Sequence, residues 1–177
     1  MYCMKNECSV LANGLAINWS NGFPGAMHDL NVFRVNFNFH KKTTRDIDSN
    51  GHTVYHPIIF DKGYIGAQHD VDAIIPTKKT KKRELTEEQE IRNKLIAEDC
   101  IIVENYFGRV QSLFSIKAMK FPWGREKFDV VSDFCFSLTN RHIELHPLRQ
   151  NDQSFYENFK KSVHVMVKKK NTKKENN

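Results

Sequence analysis

The four cysteines, Cys3, Cys8, Cys100 and Cys135, are scattered, and Cys3 and Cys8 have no second close pair to complete a zinc finger. That excludes a self-contained zinc ribbon and leaves buried or idle thiols as the default, ahead of a metal that Cys3 and Cys8 would share with a partner chain. No apolar run approaches the roughly 18 residues of a membrane span, and no secretory signal pattern is present. The expectation is a reduced, soluble, intracellular protein with no membrane partner. No repeat is visible, and proline is absent from residue 86 to residue 116, so nothing in that stretch breaks a long helix.

What is present is enough chain for one core. With 177 residues, 40% of them hydrophobic, the sequence supports a single folded domain, read as residues 1–150, with residues 151–177 as a basic disordered tail. The net charge of +6 is modest, but the cations are clustered. Lys78, Lys79, Lys81, Lys82 and Arg83 follow the apolar run Ala73-Ile74-Ile75, and Lys168, Lys169, Lys170, Lys173 and Lys174 lie in the tail. Such runs neutralise phosphates and supply sequence-independent DNA affinity, although solvated loops carry them too. The first cluster is read as a DNA-backbone contact and the second as a nuclear-import signal.

Chemistry enters with two carboxylates. Pro57-Ile58-Ile59-Phe60 is a short apolar run ending in Asp61-Lys62-Gly63-Tyr64, which predicts a buried strand with Asp61 at its carboxyl end, where open α/β sheets bind ligands. Forty-three positions later, Glu104 lies in a predicted amphipathic helix whose apolar stripe is Val103, Phe107, Val110 and Phe114. Gly108, one turn on from Glu104, leaves room for close approach on that face. Singly, Asp61 reads as a turn residue and Glu104 as a solvated one. Together they suit a metal-dependent phosphodiester enzyme.

The remaining pattern is architectural. Ser9 to Ala12 and Leu15 to Trp19 flank Asn13-Gly14, which predicts a two-stranded hairpin on a type I′ turn. After Pro24-Gly25, Asp29 opens a short predicted helix, where its carboxylate favours the helix dipole or else borders an acidic pocket or partly replaces a missing acid, and His28 reads as a packed or capping residue rather than a ligand. Residues 40–56 read as an exposed connection with at most a helical turn. A second long helix is predicted from Glu126 to Leu145, its core face formed by Phe128, Val131, Phe134, Cys135 and Leu138.

The blocks Pro24-Gly25-Ala26-Met27-His28-Asp29, Asp61-Lys62-Gly63-Tyr64, Ile75-Pro76 and Val103-Glu104-Asn105-Tyr106-Phe107-Gly108-Arg109, with Leu138 to Ile143 and His146 to Arg149, resemble the DDE superfamily endonucleases of the PIF/Harbinger transposase type. The resemblance implies a ribonuclease-H-like fold, a mixed α/β sheet flanked by helices. It also implies an acidic triad holding two divalent ions, normally Mg2+ with Mn2+ substituting, to cut and join DNA. By motif, Asp61 is the second acid and Glu104 the third, with Asp29 at the pocket's border and Arg109 on the DNA side. The family's first acid stands on an opening strand that has no counterpart here, since Met1 to Glu7 offers only Glu7. The expectation is therefore a domain lacking that strand, either a portion of a longer transposase or a repurposed, catalytically inactive DNA- or protein-binding descendant. DNA, a separate DNA-binding partner protein and a second copy of the chain are the implied partners, with the nucleus as the implied location.

Overall fold

The computed structural model describes residues 3–47, 51–80 and 84–148. Lys81, Lys82, Arg83 and the tail from residue 151, with its lysines, lie outside the described residues. The architecture is mixed α/β with small sheets. Strand β1 (Met4–Lys5) pairs antiparallel with β4 (Phe23–Pro24), and between them β2 (Cys8–Val10) pairs antiparallel with β3 (Ala16–Trp19).

The hairpin is where the sequence places it, but its turn differs. Gly14 N–H donates to Leu11 O and Leu11 N–H to Leu15 O, both at 2.9 Å, which makes a wider loop with a bulge between Ser9 and Val10. Gly14 alone in this turn has a positive φ, 88°, whereas type I′ needs one at both central residues.

Helix α1 (Asp29–Val35) starts on His28, whose Nδ1 accepts from Leu30 N–H at 3.3 Å, the capping role its position suggested. Helix α2 (Phe37–Thr43) follows at once and leads into a ribbon, β5 (Arg45–Ile47) antiparallel to β6 (Thr53–Tyr55). The region read as an exposed connection is exposed at its described strands, but it carries a strand pair that its polar, glycine-containing sequence did not reveal. Strand β7 (Ile58–Ile59) pairs parallel with β8 (Ala73–Ile74).

Helix α3 (Glu87–Leu113) begins on a capping box, in which Thr86 Oγ1 accepts from Gln89 N–H and Gln89 Oε1 from Thr86 N–H. Short helix α4 (Ser115–Ala118) and then α5 (Arg125–Leu145) complete the fold. No described helix is long and apolar enough to cross a membrane.

Two hydrophobic clusters hold these parts. One joins Tyr106 and Val110 of α3 to Cys135, Phe136 and Ile143 of α5 and Ala16 of β3. The other joins Phe33, Phe60, Ala67 and Ala73 beneath the β7–β8 pair. Helix α3 packs on both β2 and β7, although the described ladders β2–β3 and β7–β8 are separate sheets. On α3 the buried residues are Ile96, Ile102, Tyr106 and Val110, with Val103 and Phe107 half-buried at the margin, so the core face keeps Val110 and is rotated by about 50° from the one periodicity suggested.

The same shift occurs on α5. Its buried line is Phe128, Ser132, Cys135, Phe136, Thr139 and Ile143, whereas Phe134 and Leu138 are exposed. The reason is polar. Ser132 and Thr139 turn inward because each hydroxyl donates to the carbonyl four residues back, Phe128 O and Cys135 O. Asn140 then accepts from Ala16 N–H at 3.0 Å and donates to Ala16 O at 2.8 Å, so one side chain clamps α5 to β3.

Candidate active site

Asp61 stands two residues beyond β7, just after the buried Phe60, at the carboxyl end of a parallel strand. It is exposed, and its Oδ1 accepts from Lys62 N–H at 2.6 Å, capping the 3-10 turn Lys62–Tyr64. Tyr64 stacks on Phe60 with ring centroids 4.9 Å apart, which fixes the turn to the strand.

Asp29, at the first position of α1, reaches the same turn. Its Oδ2 lies over Gly63, where an added Cβ would come within 2.7 Å, and its Oδ1 accepts from Lys5 Nζ at 2.5 Å. Any side chain at Gly63 would push the Asp29 carboxylate aside.

Glu104 is exposed on α3, and Cys100, one turn earlier on the same face, is its neighbour. The Cys100 thiol is pushed up to about 11, first by burial and then by the charges of Asp61, Asp99 and Glu104. The Tyr64 phenol is likewise held well above its usual value, first by burial and then by Glu7, Asp29 and Asp61. Asp61 thus belongs to two electrostatic neighbourhoods, one shared with Asp29 and one with Glu104. Gly108 is open, with nothing within 4 Å of a Cβ placed there.

The donors are all carboxylate oxygens, the chemistry that hard divalent cations require. Among the described residues no three His, Cys, Asp or Glu side chains are grouped closely enough to hold an ion as packed. Asp29 is tied to Lys5 and Asp61 to its own turn, so assembling a three-carboxylate site needs at least one of them to be released.

Glu7 is a member of this region to which its sequence context assigned no role. Its side chain is 6% exposed, and Oε2 accepts from Asn36 Nδ2 at 2.6 Å and lies 3.2 Å from His40 Nε2. Oε1 is buried and has no hydrogen-bond partner in the structure. Burial, reinforced by Glu7, pushes the Cys8 thiol up to about 12. Nothing local in the sequence marks Glu7, because its side-chain partners come from Asn36 between α1 and α2 and from His40 of α2. Cys100 was findable from its four-residue spacing to Glu104.

The basic residues divide. Lys78 and Lys79 are exposed, with Lys79 Nζ 2.9 Å from Glu84 Oε1. The segment before them is pinned to α3 by Asn93, which bonds both Thr77 N–H and Thr77 O at 2.8 Å, and by Arg92, which donates to Ile75 O at 2.9 Å. Arg109 lies about 140° around α3 from Glu104. Its Nη1 donates to His142 Nδ1 at 3.0 Å and to His146 O at 3.1 Å, which occupies it at the end of α5 rather than beside the acids.

The family model of the DDE superfamily endonucleases matches residues 1–140. No curated protein and no solved structure matches the chain significantly.

Proposed function

The chain belongs to the DDE superfamily endonucleases, and from that membership we propose that it acts on DNA at the rim formed by Asp61, Glu104 and Asp29, by phosphodiester cleavage of the PIF/Harbinger transposase type. The membership gives a transposase-type nuclease function and a DNA substrate, and such endonucleases generally use divalent metals. The observation that carries the assignment to this rim is geometric: Asp29 Oδ2 lies against Gly63 of the turn that Asp61 caps, and α3, which carries Glu104, packs on β7, the strand that leads into Asp61.

In this reading Asp61 and Glu104 hold Mg2+ or Mn2+, and Asp29 joins them once Lys5 lets go. When bound, the ion supplies positive charge for an activated water or hydroxyl and for the leaving oxygen. The chain's own part is to set the carboxylates on rigid supports, Asp61 just past β7 and Glu104 on α3, and to keep the Tyr64 phenol protonated as a donor at the rim. Lys78 and Lys79, with Lys81, Lys82 and Arg83, are assigned to the DNA backbone. The tail lysines are assigned to nuclear import, and a separate DNA-binding partner protein and self-association belong to the same reading.

One observation favours a second reading, a transposase-derived protein that binds DNA or a protein without cutting. Two of the three candidate carboxylates are already employed, Asp29 by Lys5 and Asp61 by Lys62 N–H.

Nicking of supercoiled plasmid by the 177-residue protein in Mg2+ or Mn2+ decides between the two, with Asp61→Ala and Glu104→Ala alongside. Metal-dependent nicking lost in both variants is expected. DNA binding without nicking above the variants would overturn the enzyme reading and leave the second.

A further inference from the structure

The β5–β6 ribbon stands apart from both hydrophobic clusters, and all six of its strand residues are exposed. Among the described residues no third strand or long helix lies over its face, and two strands so placed are at best marginally stable on their own. This pair is joined to the body through the last turn of α2 and through His56 N–H donating to Thr44 O at 2.7 Å. Ile47 is nonetheless 64% and Tyr55 54% exposed, a large apolar outlay for an element that covers nothing.

The register sorts its side chains. Arg45 pairs with Tyr55 and Ile47 with Thr53, so these four share one face, while Asp46 and Val54 share the other. The two exposed lysines of the last α2 turn, Lys41 and Lys42, lie at the base of the ribbon. Asp46 is the one acid among the described residues of 41–56. It is turned away from the Arg45 face, and its charge is met by Ile47 N–H at 2.8 Å and by His56 Nε2 at 3.3 Å.

We propose that this ribbon is a DNA-docking arm that lays its Arg45–Tyr55 face into a groove of duplex DNA, with Lys41 and Lys42 on the flanking phosphates. Only the choice of DNA as the partner rests on the function proposed above. The face itself is argued from exposure, register and charge.

A two-stranded ribbon has strands about 4.8 Å apart and fits a major groove about 12 Å wide. A guanidinium at one end suits a guanine edge or a phosphate, the Ile47 side chain suits a thymine methyl, and the Tyr55 ring covers sugar and base edges. The three cations make the attachment dependent on salt. A protein partner would use the same apolar pair but would have no need of cations on the arm and at its base.

The test is a fluorescence-anisotropy titration of the full 177-residue protein with a labelled short duplex at several salt concentrations. Arg45→Ala/Tyr55→Ala, Lys41→Gln/Lys42→Gln and the quadruple variant are compared with the unaltered chain. The quadruple variant is expected to bind at least about tenfold more weakly, with a log–log salt slope shallower by about 2.7, or 0.9 for each of three lost cations. Its melting midpoint should be unchanged, because the altered side chains are solvated.

An unchanged affinity and slope would overturn the proposal, as would an unaltered chain that does not bind duplex DNA. So would loss of self-association by light scattering in Ile47→Lys with DNA affinity intact, which would give this face to a second copy. The plasmid assay fails separately. Nicking lost in Asp61→Ala with ribbon variants that still bind normally sinks the arm alone, whereas weakened binding in the ribbon variants without any nicking sinks the nuclease alone.

Discussion

Glu7 and Asn36 meet at 2.6 Å inside the protein, and His40 shares the same carboxylate oxygen while the other oxygen has no hydrogen-bond partner among the described residues. A buried carboxylate is costly to keep charged, and half of this one is unserved. Glu7→Gln keeps an acceptor for Asn36 and His40 and removes the charge, so its melting midpoint should equal or exceed that of the unaltered chain. Glu7→Leu strands both donors and should cost about 1–3 kcal/mol, read by chemical denaturation.

His142 supplies a pH test. Its imidazole is held below its ordinary value of 6.5, first by lost solvation and then by the charges of Arg109 and His146. A base whose folded value is depressed binds fewer protons folded than unfolded, so its contribution is complete above about 6.5 and declines as pH falls below that value. Protonation also removes the Nδ1 acceptor that Arg109 uses. Melting midpoints measured from neutral pH downward should drop more steeply for the unaltered chain than for His142→Gln.

Elements were legible in the sequence where periodicity is long, and misjudged where polar residues turn inward. The spans of α3 and α5 follow from the absence of proline and from recurring apolar positions, and the structure keeps both to within a few residues. Their rotation was harder to read, because Tyr106, Ser132 and Thr139 are buried polar residues whose hydroxyls bond to backbone carbonyls. Phe136→Ala should therefore cost about 3–5 kcal/mol, whereas Phe134→Ala should stay within about 0.5 kcal/mol. Equal losses in denaturation curves would show that the rotation of α5 is wrong. Thr86→Ala removes the capping box at the start of the helix that carries Glu104 and should cost about 1 kcal/mol.

Across the whole molecule, the candidate site bridges two packing units, since Asp29 and Asp61 stand over the Phe33–Phe60 cluster while Glu104 rides on the helix of the Tyr106–Phe136 cluster. Asp61 and Glu104 could be picked out from motif and strand-end position, but the approach of Asp29 to the Asp61 turn and the packing of α3 on β7 depend on how distant segments meet. The β5–β6 ribbon escaped notice for a related reason, as an element that faces water on both sides leaves no alternation to read. Phe33→Ala should loosen the Asp61 side first, seen as faster amide hydrogen exchange around β7 than in α5. Uniform acceleration would mean that the two clusters open together.

The placement of Cys100 gives the molecule a native reporter of occupancy. A thiol pushed up to about 11, first by burial and then by the charges of Asp61, Asp99 and Glu104, reacts slowly with an alkylating reagent at neutral pH. A cation seated on those carboxylates would cancel part of that field and raise the thiolate fraction. In a Cys3→Ser background, which silences the exposed cysteine, the alkylation rate of Cys100 against Mg2+ concentration would thus trace a binding curve without any DNA being cut.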